Sequence, residues 1–254
     1  MAESRYFVGK GKLFVGERDS AGNPVGLEWL GNVPNLVLLT DETDLQHKES
    51  YTGLNLTDKI VPTGQTATAS FTLEEFTKEN LTKFLRGTFT AIAAATITEE
   101  VVIGYVGKWS RLSQGNIQVW TSLTNSAADE TYVQGTDYNL DMKGGLIEVL
   151  AGGSITDGQS LRANYAAGAM EQVSGFTVQP KDYYLYFSGL NQAEDLQPVL
   201  IDVYKFRPKP INSLELITDE FGSYEIEGAV QYDPSRPDTT TNGRFFKIRQ
   251  TVQQ

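Results

Sequence analysis

The alternation of apolar and polar side chains predicts a chain built mainly of β-strands. Short runs rich in Tyr, Phe, Val, Ile and Thr are separated by Gly, Asn, Asp and Pro turns. In the clearest run, Gln65 to Glu74, every second residue is apolar and the residues between them are mostly small and polar. One face of this strand is therefore expected to be packed and the other exposed. Further strands are predicted at 6–15, Tyr183–Leu190, Val199–Phe206, Gly222–Tyr232 and Arg244–Val252.

One segment follows a helical period instead. Its apolar side chains recur at i, i+3 and i+4, at Leu81, Phe84 and Leu85. This spacing predicts a helix from Lys78 to Arg86, directly after the clearest strand. Thr77 is a suitable N-cap, and Gly87 is the expected left-handed residue that ends the helix.

The middle of the chain, 98–170, differs from its flanks in being rich in Gly, Ser, Asn and Thr. Turn signals recur there about every 8–12 residues, as in a small β-sandwich. We interpret this region as a β-rich domain inserted into a loop of a discontinuous domain formed by 1–97 and 171–254. Such insertions are tolerated because the termini of a domain often lie close together.

A polar, charged stretch from Thr40 to Pro62 is interpreted as a long exposed loop. It is too long and too polar for the compact hairpins that usually join neighbouring strands. Loops of this length, above roughly 20 residues, usually have a function or stay disordered until they bind a partner.

Composition excludes several classes of chemistry. The 254 residues include no cysteine and a single histidine, His47. The lack of cysteine excludes disulfide frameworks, thiol nucleophiles and zinc–thiolate sites, and one histidine leaves little scope for imidazole catalysis. Membrane insertion is not expected, because no apolar run approaches the roughly 18 residues of a membrane helix and the start lacks a signal-peptide layout.

The charge balance bears on possible partners. With 32 acidic and 21 basic side chains, the net charge is −11. Tight binding of nucleic acid is not expected, because contacts to phosphates depend on clustered Lys and Arg. The excess of acid either serves solubility or forms a surface that lies beside a polyanion without adhering to it.

A search for catalytic and metal-binding motifs selects no site. There is no G-x-S-x-G elbow, and Gly9 to Lys12 lacks the spacing of a phosphate loop, so it is interpreted as a strand with exposed lysines. Three acids, Asp41, Glu42 and Asp44, have calcium-type ligands but not the spacing of an EF-hand loop, which favours a solvated segment. No enzyme activity, cofactor or metal is therefore expected.

Several segments together resemble the major tail tube proteins of long-tailed bacteriophages. In the first half they are Tyr6–Leu13, Leu30–Pro34, Gly64–Thr68 and Glu79–Leu81. In the second half they are Phe187–Asn191, Val199–Lys205, Leu214–Ile217 and Asp219–Gly222. The resemblance covers about 1–95 and 171–254, and the insertion looks like the immunoglobulin-like decorations of such virion proteins.

The resemblance implies a mainly β fold: a tail-tube sandwich that forms a barrel with its neighbours, one flanking helix and an Ig-like inserted domain. It implies hexameric rings that stack into a hollow, negatively charged tube, through which double-stranded DNA passes without specific binding. The implied partners are further copies of the chain, a tape measure protein, and tail terminator and baseplate proteins. The implied location is the virion tail, assembled in the cytoplasm of the host bacterium.

Candidate site residues follow from this resemblance and from the strand pattern. Those expected in a loop that reaches the neighbouring ring are Asp41, Glu42, Asp44, His47, Glu49 and Tyr51. The acids expected at the lumen or at an interface are Glu225 and Glu227. Those expected on strands between subunits are Thr66, Thr68, Ser70, Thr72, Lys247 and Arg249.

The basic last strand has two interpretations. If Tyr232 and Arg244 begin a hairpin, Glu227 lies opposite Arg249, and the two charges attract each other across the strands. Alternatively, the strand docks on an acidic face of another copy.

Two other functions remain open. One is the tube of a contractile injection machine, although an insertion that projects outward would obstruct the surrounding sheath. The other is a monomeric carbohydrate-binding module with a platform of Tyr183, Tyr184, Tyr186 and Phe187. These four aromatic side chains are expected instead to fill both faces of a buried strand.

Overall fold

The computed structural model describes residues 6–236 and 243–251, which form two compact units. The inserted unit is Phe89–Val173, and the host unit consists of the described residues before and after it. The predicted insertion, 98–170, lies within the inserted unit, whose limits reach further in both directions. Within the described residues, no helix has the length and apolar character needed to cross a membrane.

The protein is mainly β, with antiparallel pairing throughout its named ladders. The first elements are β1 (Gly9–Arg18), β2 (Pro24–Trp29), β3 (Asn35–Lys48), β4 (Thr57–Leu73) and α1 (Lys78–Phe84). They are followed by β5 (Thr88–Ile92), β6 (Ala95–Gly104), β7 (Trp109–Arg111), β8 (Ile117–Asn125), β9 (Tyr138–Asp141), β10 (Leu146–Val149), β11 (Gln159–Ala167) and β12 (Met170–Ser174). The last elements are β13 (Tyr183–Asn191), β14 (Gln197–Pro208), β15 (Tyr224–Val230) and β16 (Phe246–Gln250). Val252, the predicted end of the last strand, lies outside the described residues.

The host unit is one eight-stranded sheet that curves around its own core. The strand order is β2-β1-β13-β14-β15-β4-β3, with β16 paired to β14 beside this path. Leu13 of β1 and Leu185 of β13 share a buried cluster with Phe71 of β4 and Ile226 of β15. Strands from the two ends of the order therefore face each other across the core.

The predicted alternation on β4 is confirmed. The apolar set of the predicted strand is buried, namely Ala67, Ala69, Phe71 and Leu73. The small polar residues between them point to the other face, where they are exposed or half-buried. Burial of one face only is what a period of two dictates.

Helix α1 lies where its pattern predicts, but it ends differently. The Thr77 hydroxyl accepts a hydrogen bond from the Asn80 amide at 3.3 Å, as an N-cap does. The predicted left-handed stop at Gly87 is wrong, because Arg86 is the residue with positive φ (50°). Gly87 donates instead to the Thr82 carbonyl at 2.8 Å, which closes a Schellman motif one residue earlier. The Nη2 atom of Arg86 donates a hydrogen bond to the Pro208 carbonyl at 3.0 Å, which links the end of the helix to β14.

The prediction of a long loop at 40–62 is wrong. Most of this stretch belongs to β3 and β4, which pair from Asn35 opposite Thr72 to Lys48 opposite Thr57, with register shifts after Thr43 and after His47. The polar sequence misled the interpretation because neither face of this part is buried, so no apolar alternation marks it as strand. Only the segment between Lys48 and Thr57 connects the two strands.

The inserted unit has two three-stranded sheets, β6-β11-β8 and β7-β10-β9. Leu123, Leu161 and Tyr165 from the first sheet share a buried cluster with Ile147 from the second. At the borders of this unit β5 pairs with β12, so the chain enters and leaves through neighbouring strands.

Candidate functional site

The hairpin of β3 and β4 extends beyond the core of the host unit. We call its distal part, residues 39–66, the arm. Apart from Glu49, every residue of the arm is exposed, so both of its faces lack a covering layer. A two-stranded hairpin alone is at best marginally stable in water, because it has no core of its own. Within this chain, the arm therefore depends on its continuity with the sheet and on its tip.

Large apolar side chains are exposed along the whole arm. Leu39 and Leu45 lie on the same face of β3, and Leu39 is 62% exposed. At the tip, Tyr51 is 84% and Leu54 71% exposed. Scattered single apolar residues on a surface are ordinary, but a row of them on an uncovered hairpin indicates an interaction surface.

Glu49 was expected to be an exposed contact residue, and this expectation is wrong. Its carboxylate accepts hydrogen bonds from the amides of Tyr51 (2.9 Å), Thr52 (2.9 Å) and Leu56 (3.3 Å), and also from the Thr52 hydroxyl. These hydrogen bonds, the largest contribution being that of the Thr52 hydroxyl, lower the pKa of Glu49 from 4.5 to about 2. Glu49 is only 4% exposed and acts as the internal brace of the tip.

The other predicted loop residues lie on strand β3 or at the tip. Asp41, Glu42, Asp44 and His47 are exposed side chains of β3, and Tyr51 lies in the connection. The Nδ1 atom of His47 is 2.5 Å from a carboxylate oxygen of Asp58, on the partner strand β4. The structure thus brings these residues together on one arm, four of them on β3 and Tyr51 at the tip.

The predicted lumen acids and the small polar residues of β4 share one face of the sheet. On β15, Glu225 lies opposite Thr72 and Glu227 lies opposite Ser70. Thr68 and Thr66 continue the row towards the arm. We call this set the threonine face: Thr66, Thr68, Ser70 and Thr72, bordered by Glu225 and Glu227. The ammonium of Lys209 is 2.7 Å from Glu227, a contact that the sequence did not indicate.

From Ala67 to Leu73, the backbone hydrogen-bonding groups of β4 are not available for pairing with a strand of another chain. Its backbone is already paired with β15 on one side, from Ala67 to Leu73, and with β3 on the other. The backbone of β4 is thus paired on both sides within this chain from Ala67 to Leu73, and a contact of these residues with another subunit stays a prediction that concerns their surface side chains. In the part of the chain that the structure describes, β2 and β3 are paired on one edge only.

The predicted pairing of Glu227 with Arg249 is also wrong. Strand β16 pairs with β14, not β15, and places Arg249 opposite Leu200. An Arg249 guanidinium nitrogen is 2.7 Å from Asp202, whose other oxygen accepts a hydrogen bond from the Tyr184 hydroxyl at 2.7 Å. Burial and this hydrogen bond raise the pKa of Tyr184.

Lys247 has its backbone partner within the same chain, opposite Asp202, so the basic strand is part of this fold. The neighbouring aromatic residues follow the expectation for a packed strand: Tyr183 and Tyr184 are buried, and Tyr186 and Phe187 are half-buried. They do not form an open platform for a sugar.

A cleft of about 570 Å³, with both polar and apolar walls, opens beside the buried cluster of the host unit. We call it the core cleft. It is lined by Leu13 of β1, Phe187 of β13, Ile201 of β14, Leu36 and Leu38 of β3, and Ala69 of β4. Lys10 and Asn35 also line it, and both are exposed. Sequence reasoning missed this cleft because its walls come from five strands distant in the chain.

Among residues 6–236 and 243–251, no group of three or more acidic or histidine side chains is arranged to hold a metal ion.

Comparison with known families assigns the chain to one of them. Residues 6–249 match the model of a family described as "Protein of unknown function UCP028589". The chain belongs to this family. No curated protein matches it. In this UCP028589 member, the arm, the threonine face and the core cleft all belong to the host unit.

Proposed function

We propose that this chain is a structural virion protein that polymerises, as stacked hexameric rings, into the tail tube of a long-tailed bacteriophage. The observation that carries the proposal is the arm, a projecting hairpin with exposed apolar side chains on uncovered faces. In an isolated monomer such an element is stabilised little by the hydrophobic effect, because its apolar surface stays in water. Packing against a further copy would cover that surface. The resemblance to tail tube proteins indicates that the assembly formed by such copies is a tail tube.

The free edges of the curved sheet supply the contacts within a ring. Strands β2 and β3 end the strand order, and both expose large apolar side chains, among them Val25, Trp29 and Leu39. Exposed edge strands readily pair with another chain, and repeated head-to-tail pairing closes into a ring. Six copies that join in this way would share a continuous barrel, which removes the free edges.

The threonine face suits the wall of a DNA conduit. Its small polar side chains offer no deep anchoring points, and Glu225 adds negative charge to a chain of net charge −11, whereas the charge of Glu227 is paired with that of Lys209. A surface of this sign repels phosphates, so DNA can pass without being held. The proposal needs no catalysis and no cofactor. Its partners are further copies, a tape measure protein, and tail terminator and baseplate proteins, and the inserted unit is an Ig-like decoration.

Electron microscopy of the concentrated protein in negative stain tests the proposal. We expect stacked rings or hollow tubes of uniform width. The matched control is a shortened arm in which Thr43 is joined to Gly64, its partner across the hairpin, by an Asn-Gly turn. This variant keeps the whole core and should lose the stacking of rings.

Two results would contradict the proposal. Tubes of the shortened variant that equal those of the full chain would show that the arm has no part in assembly. A full chain that stays monomeric at every concentration and binds glycans would indicate a carbohydrate-binding module.

A further inference from the structure

A tryptophan side chain is exposed on the outer face of the sheet β7-β10-β9 of the inserted unit. Trp109 of β7 is 49% exposed, whereas the next residue, Ser110, points into the unit and is buried. Among the residues that the structure describes, the indole N–H of Trp109 has no hydrogen-bond acceptor. A large apolar ring with one polar group is the kind of side chain that is enriched where proteins bind partners. Its place on a strand also holds it more precisely than a loop would.

The strand register places a hydrogen-bonded acid–amide pair beside this ring. Glu148 of β10 lies directly opposite Trp109, and Asn139 of β9 lies directly opposite Glu148, so all three share one face of the sheet. The side-chain amide of Asn139 donates a hydrogen bond to one Glu148 oxygen at 3.0 Å. In the described part of the chain, the other Glu148 oxygen and the Asn139 carbonyl have no donor. Both oxygens can therefore accept hydrogen bonds from hydroxyl groups of a ligand.

An exposed arginine lies two residues from the tryptophan on the same strand. Arg111 shares the face of Trp109, roughly 7 Å along β7, and its guanidinium has no acid partner among residues 6–236 and 243–251. The acid in its row is Asp141, two strands and roughly 10 Å away. One oxygen of Asp141 accepts hydrogen bonds from the amides of Lys143 (3.0 Å) and Gly144 (3.1 Å). The guanidinium is thus available for a carboxylate, which it binds through two parallel hydrogen bonds.

A sugar that carries a carboxylate matches all three groups. The C–H groups on one face of a pyranose ring pack against an indole, because the face of the aromatic ring carries partial negative charge. Hydroxyl groups of the sugar donate to Glu148 and Asn139, and its carboxylate pairs with Arg111. Glu148 repels that carboxylate, which fixes the direction in which the sugar lies. A neutral sugar would leave the guanidinium unpaired, and an acidic peptide would supply no hydroxyl groups to the acid–amide pair.

We propose that the outer face of β7-β10-β9 is a binding site for acidic pyranose sugars. Trp109 is the stacking platform, Arg111 pairs with the sugar carboxylate, and Glu148 with Asn139 accepts hydroxyl hydrogens. The site lies wholly within the inserted unit. It therefore goes beyond the proposed tube function and does not depend on it.

Isothermal titration calorimetry of the full chain with three probes tests the proposal. The probes are trigalacturonic acid, which is an acidic α-1,4-linked trimer, maltotriose, which is a neutral one, and hexaglutamate, which is an acidic peptide. We expect trigalacturonic acid to bind at least tenfold more tightly than either of the others. The reason is that only this probe has partners for the ring, the guanidinium and the acid–amide pair together.

Two variants with matched controls locate the binding. Trp109→Ala should weaken binding of trigalacturonic acid at least tenfold, as expected for loss of an aromatic anchor. Trp29→Ala, which removes an indole of the host unit that is 55% exposed, should leave binding unchanged. Arg111→Gln should weaken binding of the acidic trimer roughly tenfold to a hundredfold without affecting maltotriose. Lys143→Gln, which removes an exposed cation of the same unit, should change neither, and thermal unfolding checks that all four variants are folded.

The outcomes separate this site from the tube function. Binding of trigalacturonic acid that needs Trp109 and Arg111 supports the site, whether or not the chain forms tubes. Equal binding of maltotriose or of hexaglutamate overturns the proposal, because the site then does not read an acidic sugar. Binding that survives Trp109→Ala, or no binding at millimolar probe, overturns it as well. Neither result bears on the tubes, which electron microscopy tests separately.

Discussion

Phe84→Ala is expected to destabilise the host unit and to leave the inserted unit unchanged. The Phe84 side chain has no exposed surface, and its ring packs edge-on against Phe71 at a centroid distance of 5.8 Å. Removing a buried Phe costs about 3–5 kcal/mol, because apolar contacts are lost and a cavity remains. Neither the sheet nor the helix can collapse into that cavity without breaking its own hydrogen bonds. We therefore expect about 4 kcal/mol.

This cost can be measured separately in each unit by hydrogen exchange in urea. With an m-value of about 2 kcal/mol per molar urea, a loss of about 4 kcal/mol lowers the midpoint by roughly 2 M. Peptides from β4 should show this shift, and peptides from β11 should not, because the two units have separate buried clusters. The reciprocal variant, Leu123→Ala, should lower the urea midpoint of peptides from β11 only. The expected loss of about 2–5 kcal/mol corresponds to a shift of roughly 1–2.5 M with the same m-value.

The control of matched chemistry is Phe221→Ala, since this Phe is 97% exposed. Its effect should stay within about 0.5 kcal/mol. If Phe84→Ala shifts the peptides of both units by the same amount, the reasoning from two independent cores is refuted. If it shifts neither, the packing of α1 on the sheet is refuted.

Three further predictions concern single positions. Thr77→Ala should cost about 0.5–2 kcal/mol in urea unfolding of the host unit, because the Asn80 amide loses its cap acceptor; no change would contradict the capping role. Gly11→Ala should cost about 1–3 kcal/mol, because its Cβ would lie 2.5 Å from the Ser188 carbonyl oxygen, whereas Gly64→Ala, with open space around its Cβ, should be neutral or slightly stabilising. Glu49, with its pKa lowered to about 2, should order the tip fully above about pH 4.5 and lose this effect as the pH falls through about 2. The protection factors of the tip amides, taken relative to the intrinsic exchange rate at each pH, should fall on that acidification. In Glu49→Gln these protection factors should not change with pH in this way.

Local patterns in the sequence predicted the elements that bury only one face or that are stabilised by contacts within a few residues. The alternation at Gln65–Glu74 predicted the buried face of β4, because a period of two and one covered face leave a clear signature. The apolar stripe and Thr77 predicted α1, since caps and helical spacing act within a few residues. Composition alone removed the thiol and multi-histidine sites from consideration, because those chemistries need residues that the chain lacks or holds once.

Only the tertiary structure decided how distant strands pair. Gly9 lies opposite Asn191, and β16 pairs with β14 rather than with β15, its neighbour along the chain. Each strand selects its partners in competition with all others in the sheet, so the register of Arg249 was not readable from the sequence around it. The same holds for the core cleft, whose walls are distant in the chain and meet only because the sheet curves.

The arm illustrates both what the sequence pattern predicts and what only the pairing of strands decides. Its polar stretch was predicted from the sequence to be exposed, which is confirmed apart from Glu49, whereas a function of this segment stays a prediction. Its strand structure was missed, because pairing along Asp41–His47 comes from continuity with a buried sheet and not from a covered face. The burial of Glu49 was missed for a related reason: a carboxylate becomes a brace only when the turn brings four donors around it. Backbone geometry, and not residue type, decides whether such a side chain faces solvent or the fold.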